Sequence, residues 1–189
     1  PKIVQIEGDC PTCGTGPNAR FEYTDSNHPL LPTASLDGRN LRTEWTYNAL
    51  GRMPARREAV GTAIQRETFY SYSATFPDFL TAIDRPSTSG GATRTVHSTT
   101  YNATGDPELQ RNMGVEGGSG FLFDTVSTFN TAGRPLTIDR PGYGTTDVTS
   151  FTYATPGRNG LVPDTRTDPL IGTTTLGHDG FNRQTSTLD

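Results

Sequence analysis

The stretch that decides the fold reads Thr43-Glu44-Trp45-Thr46-Tyr47-Asn48-Ala49-Leu50-Gly51-Arg52. Trp45 and Tyr47 are separated by a threonine, which is typical of a strand that buries one of its faces. Asn48 can then open a turn through its side chain, and Gly51 tolerates a positive φ. The stretch therefore predicts a strand that runs into a hairpin built on a type I turn and a left-handed residue.

Rings recur along the chain in the position of Tyr47, and we call these residues the anchors. They are Tyr23, Tyr47, Tyr72, Tyr101, Phe129, Tyr153 and His178. Successive anchors are 24, 25, 29, 28, 24 and 25 residues apart, and a near-constant period of this size predicts a repeat architecture. In most copies the residue two positions earlier is also large and apolar, so the pair lines one face of a strand.

Two kinds of turn follow the anchors. The short kind begins with Asn and has Gly at its fourth position; the last copy has Asp first and Asn fourth instead. The short-turn residues are Asn48, Gly51, Asn102, Gly105, Asn130, Gly133, Asp179 and Asn182. The long kind carries proline and covers residues 24–32, 73–79 and 154–163. Long and short turns nearly alternate, which leaves open a double repeat of about 50 residues.

A single hairpin of this size cannot bury its aromatic face, but hairpins stacked edge to edge bury the anchors in a row. We therefore predict an all-β chain of repetitive antiparallel hairpins. Residues 1–20 form an N-terminal strand and a Cys-x-x-Cys turn that lead into the array. Residues 21–189 form about seven repeats of 24–29 residues, in a single repeat domain that we expect to be a section of a larger protein.

Composition excludes several classes of function. The formal net charge is −4, which disfavours nucleic acid as a partner because phosphate contacts need a basic face. No apolar run approaches the ~20 residues that a membrane-spanning helix needs, so we expect no membrane insertion by this segment. The chain has 32 threonines, which suits strands rather than helices.

Cys10 and Cys13 form the sharpest local motif, and their spacing fits several kinds of chemistry. It suits half of a zinc site, a redox pair or a tight disulfide. Reduced thiols in a tight turn are the plainer alternative. Zinc needs about four ligands, yet the chain has no further cysteine. We therefore expect no bound metal and no cofactor, and keep both residues as candidate ligands.

The other polar residues point to structure rather than catalysis. His178 stands at an anchor position, whereas His28 and His97 have no nucleophile motif beside them. We expect turn capping, or calcium binding as the alternative, from Asp37, Asp84, Asp139 and Asp168. The glycine clusters at residues 90–91 and 117–120 predict loop insertions. We expect the chain not to be an enzyme.

These motifs resemble a known family. Residues 47–52 look like the YD repeat, Y-D-x-x-G-R, of the RHS (rearrangement hot spot) proteins. Residues 129–134 and 178–183 are similar with substitutions, and residues 101–106 keep the Tyr and the Gly. Residues 168–172 resemble the D-P-L-G that often separates such repeats. The resemblance covers nearly the whole chain from Phe21 onward.

The resemblance implies a β-sheet ribbon that spirals into a hollow shell, a solenoid-like YD-repeat section. In bacterial RHS and toxin-complex proteins such a shell encloses a C-terminal toxin, and in teneurins it belongs to an adhesion receptor. The expected partners are the remainder of the same shell and an enclosed toxin or effector, in a secreted or cell-surface bacterial protein. The family's self-cleaving core segment has no match here, so the resemblance implies no catalytic residues.

A binding module is the alternative, because an exposed row of aromatic and threonine side chains could hold carbohydrate or a cell-surface protein. Burial separates the two hypotheses. The residues concerned are Trp45, Tyr47, Tyr70, Tyr72, Phe151 and Tyr153. If they pack within or between repeats, the binding face has no basis; if several lie exposed and coplanar, a purely structural shell fails. An enzyme would need a cleft that joins His97 to a Ser or Asp of another repeat.

Overall fold

The computed structural model describes residues 2–6, 19–86, 94–116, 119–142, 147–153, 162–181 and 183–188. Its regular elements are fifteen strands: β1 Gln5–Ile6, β2 Ala19–Glu22, β3 Ala34–Asp37, β4 Arg42–Thr46, β5 Ala55–Glu58, β6 Arg66–Tyr72, β7 Leu80–Arg85, β8 Arg94–Tyr101, β9 Pro107–Glu116, β10 Ser119–Phe129, β11 Pro135–Asp139, β12 Thr149–Thr152, β13 Thr165–Asp168, β14 Gly172–His178 and β15 Gln184–Leu188. The following predicted features lie outside the described residues: Cys10, Cys13, Asn182, the glycines at 90–91, and residues 154–161 of the third long turn.

Strand order follows chain order from β1 to β15, and each described pairing between neighbours is antiparallel. The prediction of an all-β chain of repetitive antiparallel hairpins is therefore confirmed. The chain divides into two compact units, Pro1–Val96 and His97–Asp189. The predicted division at residue 20 stays a prediction.

Register assigns the side chains of the first unit to two faces. Trp45 of β4 lies opposite Arg56 of β5, and Arg56 lies opposite Thr68 of β6. These residues, with Tyr70 two positions after Thr68, form what we call the anchor face. Residues at the intervening positions, such as Glu44 and Arg57, point to the opposite face, which we call the charged face.

Few side chains of the described residues are buried. Fully buried side chains are few and small: Ala34 is 1% exposed, Thr149 2%, Thr99 6% and Thr68 7%. All seven anchors are half-buried. Burial is thus spread along the strands rather than gathered in one centre, which is what a repeat architecture with short elements predicts.

Pairing shifts by one residue at four of the anchors. In the hairpins that contain Tyr72, Tyr101, Phe129 and His178, the register breaks between the anchor and the residue before it. In each case the partner strand holds the extra residue, as a β-bulge does. A bulge increases the local twist of a strand, so the twist is added where each anchor strand ends.

The second half of the glycine-rich segment at residues 117–120 corrects a prediction; Gly117 and Gly118 lie outside the described residues. A loop insertion was expected, but Ser119 and Gly120 belong to β10 and pair with Glu116 and Val115 of β9. Strands β9 and β10 have 10 and 11 residues. The long spacing between Tyr101 and Phe129 therefore comes from a longer hairpin, since glycine can be accommodated in a strand at some cost.

Candidate functional site

Anchor tyrosines hydrogen-bond the backbone of the preceding strand. The hydroxyl of Tyr47 donates to the carbonyl of Pro32 at 2.8 Å, just before β3 begins. Three more anchors make the same kind of bond. These bonds join Tyr23 to Ile3 at 2.6 Å, Tyr72 to Met53 at 3.1 Å and Tyr153 to Pro135 at 3.0 Å. Each hydroxyl thus fastens the end of one strand to the start of its antiparallel partner.

Burial alters the acidity of two of these hydroxyls. Desolvation raises the pKa of Tyr47 above its ordinary value. It also raises the pKa of Tyr153, although the guanidinium of Arg134 opposes the change. Both phenols therefore stay protonated as donors through the neutral range.

The short turns are closed by a side-chain oxygen. In the turn after Tyr47, Oδ1 of Asn48 accepts from the N–H groups of Leu50 and Arg52, at 3.0 Å each. The N–H of Gly51 donates to the carbonyl of Asn48 at 2.9 Å. One side chain thus satisfies two backbone donors that a tight turn would leave exposed.

Three other copies have the same pattern. In each, the first turn residue accepts from the N–H groups two and four positions later, over 2.8–3.1 Å; these residues are Asn102, Asn130 and Asp179. Gly51, Gly105 and Gly133 at the fourth position have φ of 75°, 93° and 73°. Only glycine and, less readily, asparagine adopt this conformation without strain.

The aspartate copy differs in charge. Oδ2 of Asp179 accepts from Nε of Arg183 at 2.7 Å, in addition to the two backbone bonds. The Arg183 backbone N–H, followed by other hydrogen bonds, holds the pKa of Asp179 below its ordinary value. Among the described short turns, Asp179 is the one first residue that can ionise, because the other three copies begin with Asn.

The long turn at residues 24–32 packs against the short turn of the next repeat. Nδ1 of His28 lies 2.9 Å from Oδ2 of Asp25, and the imidazole lowers the pKa of that carboxyl. The rings of His28 and Tyr47 are 6.1 Å apart. A Cβ at Gly51 would stand 3.4 Å from the imidazole. His28 therefore acts as packing between turns.

The arginine that ends the motif reaches the following repeat. Arg52 is 17% exposed and forms an ion pair with Asp78 in the next long turn. Arg134 lies over the ring of the next anchor, Tyr153, at 5.7 Å, a favourable cation–π distance. In the copy that lacks the arginine, Asp106 lies 3.0 Å from where a Cβ of Gly133 would stand.

The charged face of the first unit carries a row of ion pairs. Arg42 binds Glu22 of β2 through two hydrogen bonds of 2.8 Å, and binds Glu44 at 2.7 Å. The Arg42 hydrogen bond lowers the pKa of Glu22. Arg57 and Glu67 form a further pair on the same face. Exposed pairs of this kind add little stability singly; the Arg42–Glu22 and Arg57–Glu67 pairs join different strands, whereas Arg42–Glu44 lies within β4.

Two clefts open in the first unit. The first, of about 740 Å³, is lined by parts of β3 to β6 that include Asp37, Glu58 and Arg66. The second, of about 620 Å³, is lined by four arginines, Arg56, Arg66, Arg85 and Arg94, together with Tyr70. Neither contains a histidine, so neither joins His97 to a nucleophile.

The residues predicted as weak chemical candidates have structural partners. Nδ1 of His97 lies 2.9 Å from Oδ1 of Asn112, and Nε2 lies 3.0 Å from the hydroxyl of Thr99. Thr99 is itself buried, so this hydroxyl is not open to a substrate. Asp37 accepts from the N–H groups of Arg39 and Leu41 at 2.9 Å each, and so caps a turn.

Asp168 likewise caps a turn, accepting from Leu170 at 3.1 Å, which lowers its pKa. Asp84 lies within β7 and Asp139 ends β11; burial, and then Asp147, raises the pKa of Asp139. Within the described ranges no three acidic, histidine or cysteine side chains gather as a metal site. Those ranges also hold no helix long and apolar enough to span a bilayer.

The six aromatic residues that separate the two functional hypotheses are half-buried. Each of them is neither fully covered nor exposed. The large apolar side chains that are exposed lie elsewhere, as at Leu170 and Phe181, which are 81% and 83% exposed. The described residues therefore present no open aromatic row.

Comparison with known proteins gives structural likeness alone. No family model matches the chain, and no curated protein matches it. Among solved structures it is similar to a chain of the TcdB2-TccC3-Cdc42 complex, with a TM-score of 0.39 and 12% identity over 91% of this chain. It is also similar to a chain of the Photorhabdus luminescens Tc holotoxin pore with a substitution in TccC3, with a TM-score of 0.37 and 13% identity over 91% of this chain. For a chain of TcdB2-TccC3, the TM-score is 0.37 and the identity is 12% over 91% of this chain.

The chain spans 11% of the length of each of these matched chains. It resembles the RHS/YD-repeat family. Because the superpositions are distant, the four turns and their anchors carry that resemblance residue by residue.

Proposed function

We propose that this chain is a non-catalytic section of an RHS/YD-repeat shell that encloses or carries a toxin or effector polypeptide. The observation that carries the proposal is the repeated bond from an anchor hydroxyl to the preceding strand, at Tyr23, Tyr47, Tyr72 and Tyr153. The hydroxyl bonds and the short turns that follow Tyr47, Tyr101, Phe129 and His178 together fasten successive strands of the array to one another. A wall is built from such strands, and it needs no reactive group.

The contacts of the polar side chains support a structural role for this chain in a shell around another polypeptide. Polar groups that could be catalytic are engaged in structural contacts, as His97 is with Asn112 and His28 with Asp25. Its partners would be the remainder of the same shell and the enclosed polypeptide. Its place would be a secreted or cell-surface bacterial protein, as the resemblance implies.

Carbohydrate binding by an aromatic row receives no support from the described residues. Stacking on a sugar needs exposed ring faces, and the anchors and their strand partners are half-buried. The threonines beside them pair with one another across strands, as Thr152 does with Thr165 at 2.7 Å. We therefore favour the shell over the binding module.

Limited proteolysis of the complete gene product that contains this chain tests the proposal. We expect a second polypeptide region to resist protease in the native protein and to be digested once the array is loosened by Gly51→Val. Gly180→Val, in a turn with open space around it, is the matched control and should leave protection intact. If no other region is protected, or if protection survives loss of the array, the shell proposal is wrong.

A further inference from the structure

The arginine-lined cleft of the first unit has the size and position of a binding site. It measures about 620 Å³, within the range of known ligand sites. Its arginines come from four successive strands: Arg56 from β5, Arg66 from β6, Arg85 from β7 and Arg94 from β8. Four arginines thus line one cleft although the formal net charge of the chain is −4.

Positive charge in this cleft exceeds negative charge. Two carboxylates, Glu58 and Glu67, also line it. Glu58 is paired with Arg56 at 2.8 Å, and Glu67 with an arginine of the charged face. In the part of the chain that the structure describes, no carboxylate pairs with Arg66, Arg85 or Arg94.

Hydrogen-bond donors in the cleft are also unsatisfied. The Nε atoms of Arg56 and Arg94 are shielded from solvent and have no hydrogen-bond partner within the described residues. A buried donor without an acceptor costs free energy, more so when it is charged. A ligand that brings acceptor oxygens would relieve this cost and neutralise the charge.

We infer that this cleft binds an acidic segment of a polypeptide through its side-chain carboxylates. The planar guanidinium fork matches a carboxylate in bidentate geometry. Four neighbouring strands span about 14 Å, which is the length of roughly four extended residues. Tyr70 is the one aromatic residue among those lining the cleft, and it is half-buried, so no ring platform is present for a sugar.

This inference rests on the proposed function in one respect, that the partner is a polypeptide. It adds which part of the wall holds that polypeptide and which chemistry does so. The acidic segment would be held by charge and by paired hydrogen bonds, so its release would respond to salt.

Fluorescence anisotropy with labelled hexaglutamate tests the inference on the whole chain. We expect binding at low salt that weakens as salt rises, and no binding of hexaglutamine. The double variant Arg85→Gln/Arg94→Gln should weaken hexaglutamate binding by about tenfold or more. Arg20→Gln/Arg39→Gln is the matched control, because it removes the same two charges from arginines that are exposed and lie outside the cleft. The fluorescence of Trp45 verifies that each variant is folded.

A second double variant separates geometry from charge. Arg85→Lys/Arg94→Lys keeps both positive charges but loses the fork, and we expect binding weaker than in the parent and tighter than in the glutamine variant. Equal binding by parent and Arg85→Gln/Arg94→Gln, or equal weakening by Arg20→Gln/Arg39→Gln, would overturn the inference. So would a sulfated disaccharide that binds where hexaglutamate does not.

The same variants distinguish this inference from the shell proposal. If hexaglutamate fails to bind while the gene product still protects a second region from protease, the cleft assignment alone is wrong. If hexaglutamate binds in the cleft while no region is protected, the shell proposal alone is wrong.

Discussion

The short turn at residues 48–52 and the one at residues 179–183 share one hydrogen-bond pattern but have different surroundings. In both, a side-chain oxygen of the first residue accepts from two later N–H groups. Around the earlier turn, Tyr47 hydrogen-bonds Pro32 and His28 packs beside Gly51. Around the later turn, Phe181 and the whole of β15 are exposed.

The difference shows that the hydrogen bonds of the turn form independently of how closely the turn is packed against the neighbouring repeat. The turn is specified by Asn or Asp at its first position and forms wherever the local sequence allows it. Packing depends on what the neighbouring repeat supplies, here the long turn that carries His28. Substitutions in the two turns should therefore differ in effect even when the turns themselves are alike.

Gly51→Val should have the largest effect. Its φ of 75° is strained for a β-branched residue, and the new Cβ would stand 3.4 Å from His28. We expect a loss of about 2 kcal/mol in the free energy of unfolding. Gly180→Val should cost less than about 0.5 kcal/mol, since Gly180 is the second turn residue, has no positive φ, and has nothing within 4 Å of its Cβ position. Denaturant titration followed by hydrogen exchange compares them, and equal losses would contradict our account of the turns.

Tyr47→Phe comes next, because it removes one hydroxyl and leaves the Pro32 carbonyl without that donor. We expect a loss of about 1 kcal/mol, measured by denaturant unfolding with Trp45 fluorescence. Tyr70→Phe is the control, since Tyr70 lies on the same strand face and makes no hydroxyl hydrogen bond within the described residues; its effect should be much smaller. If both variants unfold at the same denaturant concentration as the parent, the hydroxyl bonds do not stabilise the hairpins.

Acid should loosen the turn at Asp179 but not the turn at Asn48. The pKa of Asp179 is lowered in the folded chain, so the stabilisation is present above the ordinary aspartate pKa and is lost as pH falls through the lowered value. Amide exchange at Arg183 should accelerate over this range relative to Arg52, after correction for intrinsic rates. Asp179→Asn should remove the difference, and a difference that persists in this variant would exclude Asp179 as its cause.

Asp78→Asn should have the smallest effect. It breaks the pair with Arg52, but Asp78 is 81% exposed, and exposed ion pairs contribute little. We expect less than about 0.5 kcal/mol in the free energy of unfolding, and less again in high salt. A loss as large as that of Tyr47→Phe would show that the arginine, rather than the anchor hydroxyl, joins the repeats.

Much of the fold was accessible from the sequence because its signals are local. The alternation at Trp45 and Tyr47 indicates a strand, and Asn48 with Gly51 indicates the turn that follows. Both patterns act within a few residues, and the hairpins of the structure follow them. The expected loop insertion was wrong at Ser119 and Gly120, because glycine also occurs within a strand and local composition does not separate these cases.

The long-range contacts could not be predicted in this way. The bond from Tyr47 to Pro32 and the convergence of Arg56, Arg66, Arg85 and Arg94 depend on strand register. Register is a property of paired strands, so no single segment carries it. A separation of 15–20 residues between these four anchor tyrosines and their acceptors is a signal that could be sought in other chains.

Residue-resolved amide hydrogen exchange tests the central claim, that one turn closed by a side-chain oxygen is repeated along the chain to build the proposed wall. The account predicts protection of the N–H groups that donate to the first turn residue, at Arg52, Asp106, Arg134 and Arg183. The amide of the second turn residue, such as Ala49, should exchange faster than the amide of the fifth, and this order of rates should be the same in every copy. Equal exchange at Arg52 and Ala49, or a different order in each copy, would contradict it.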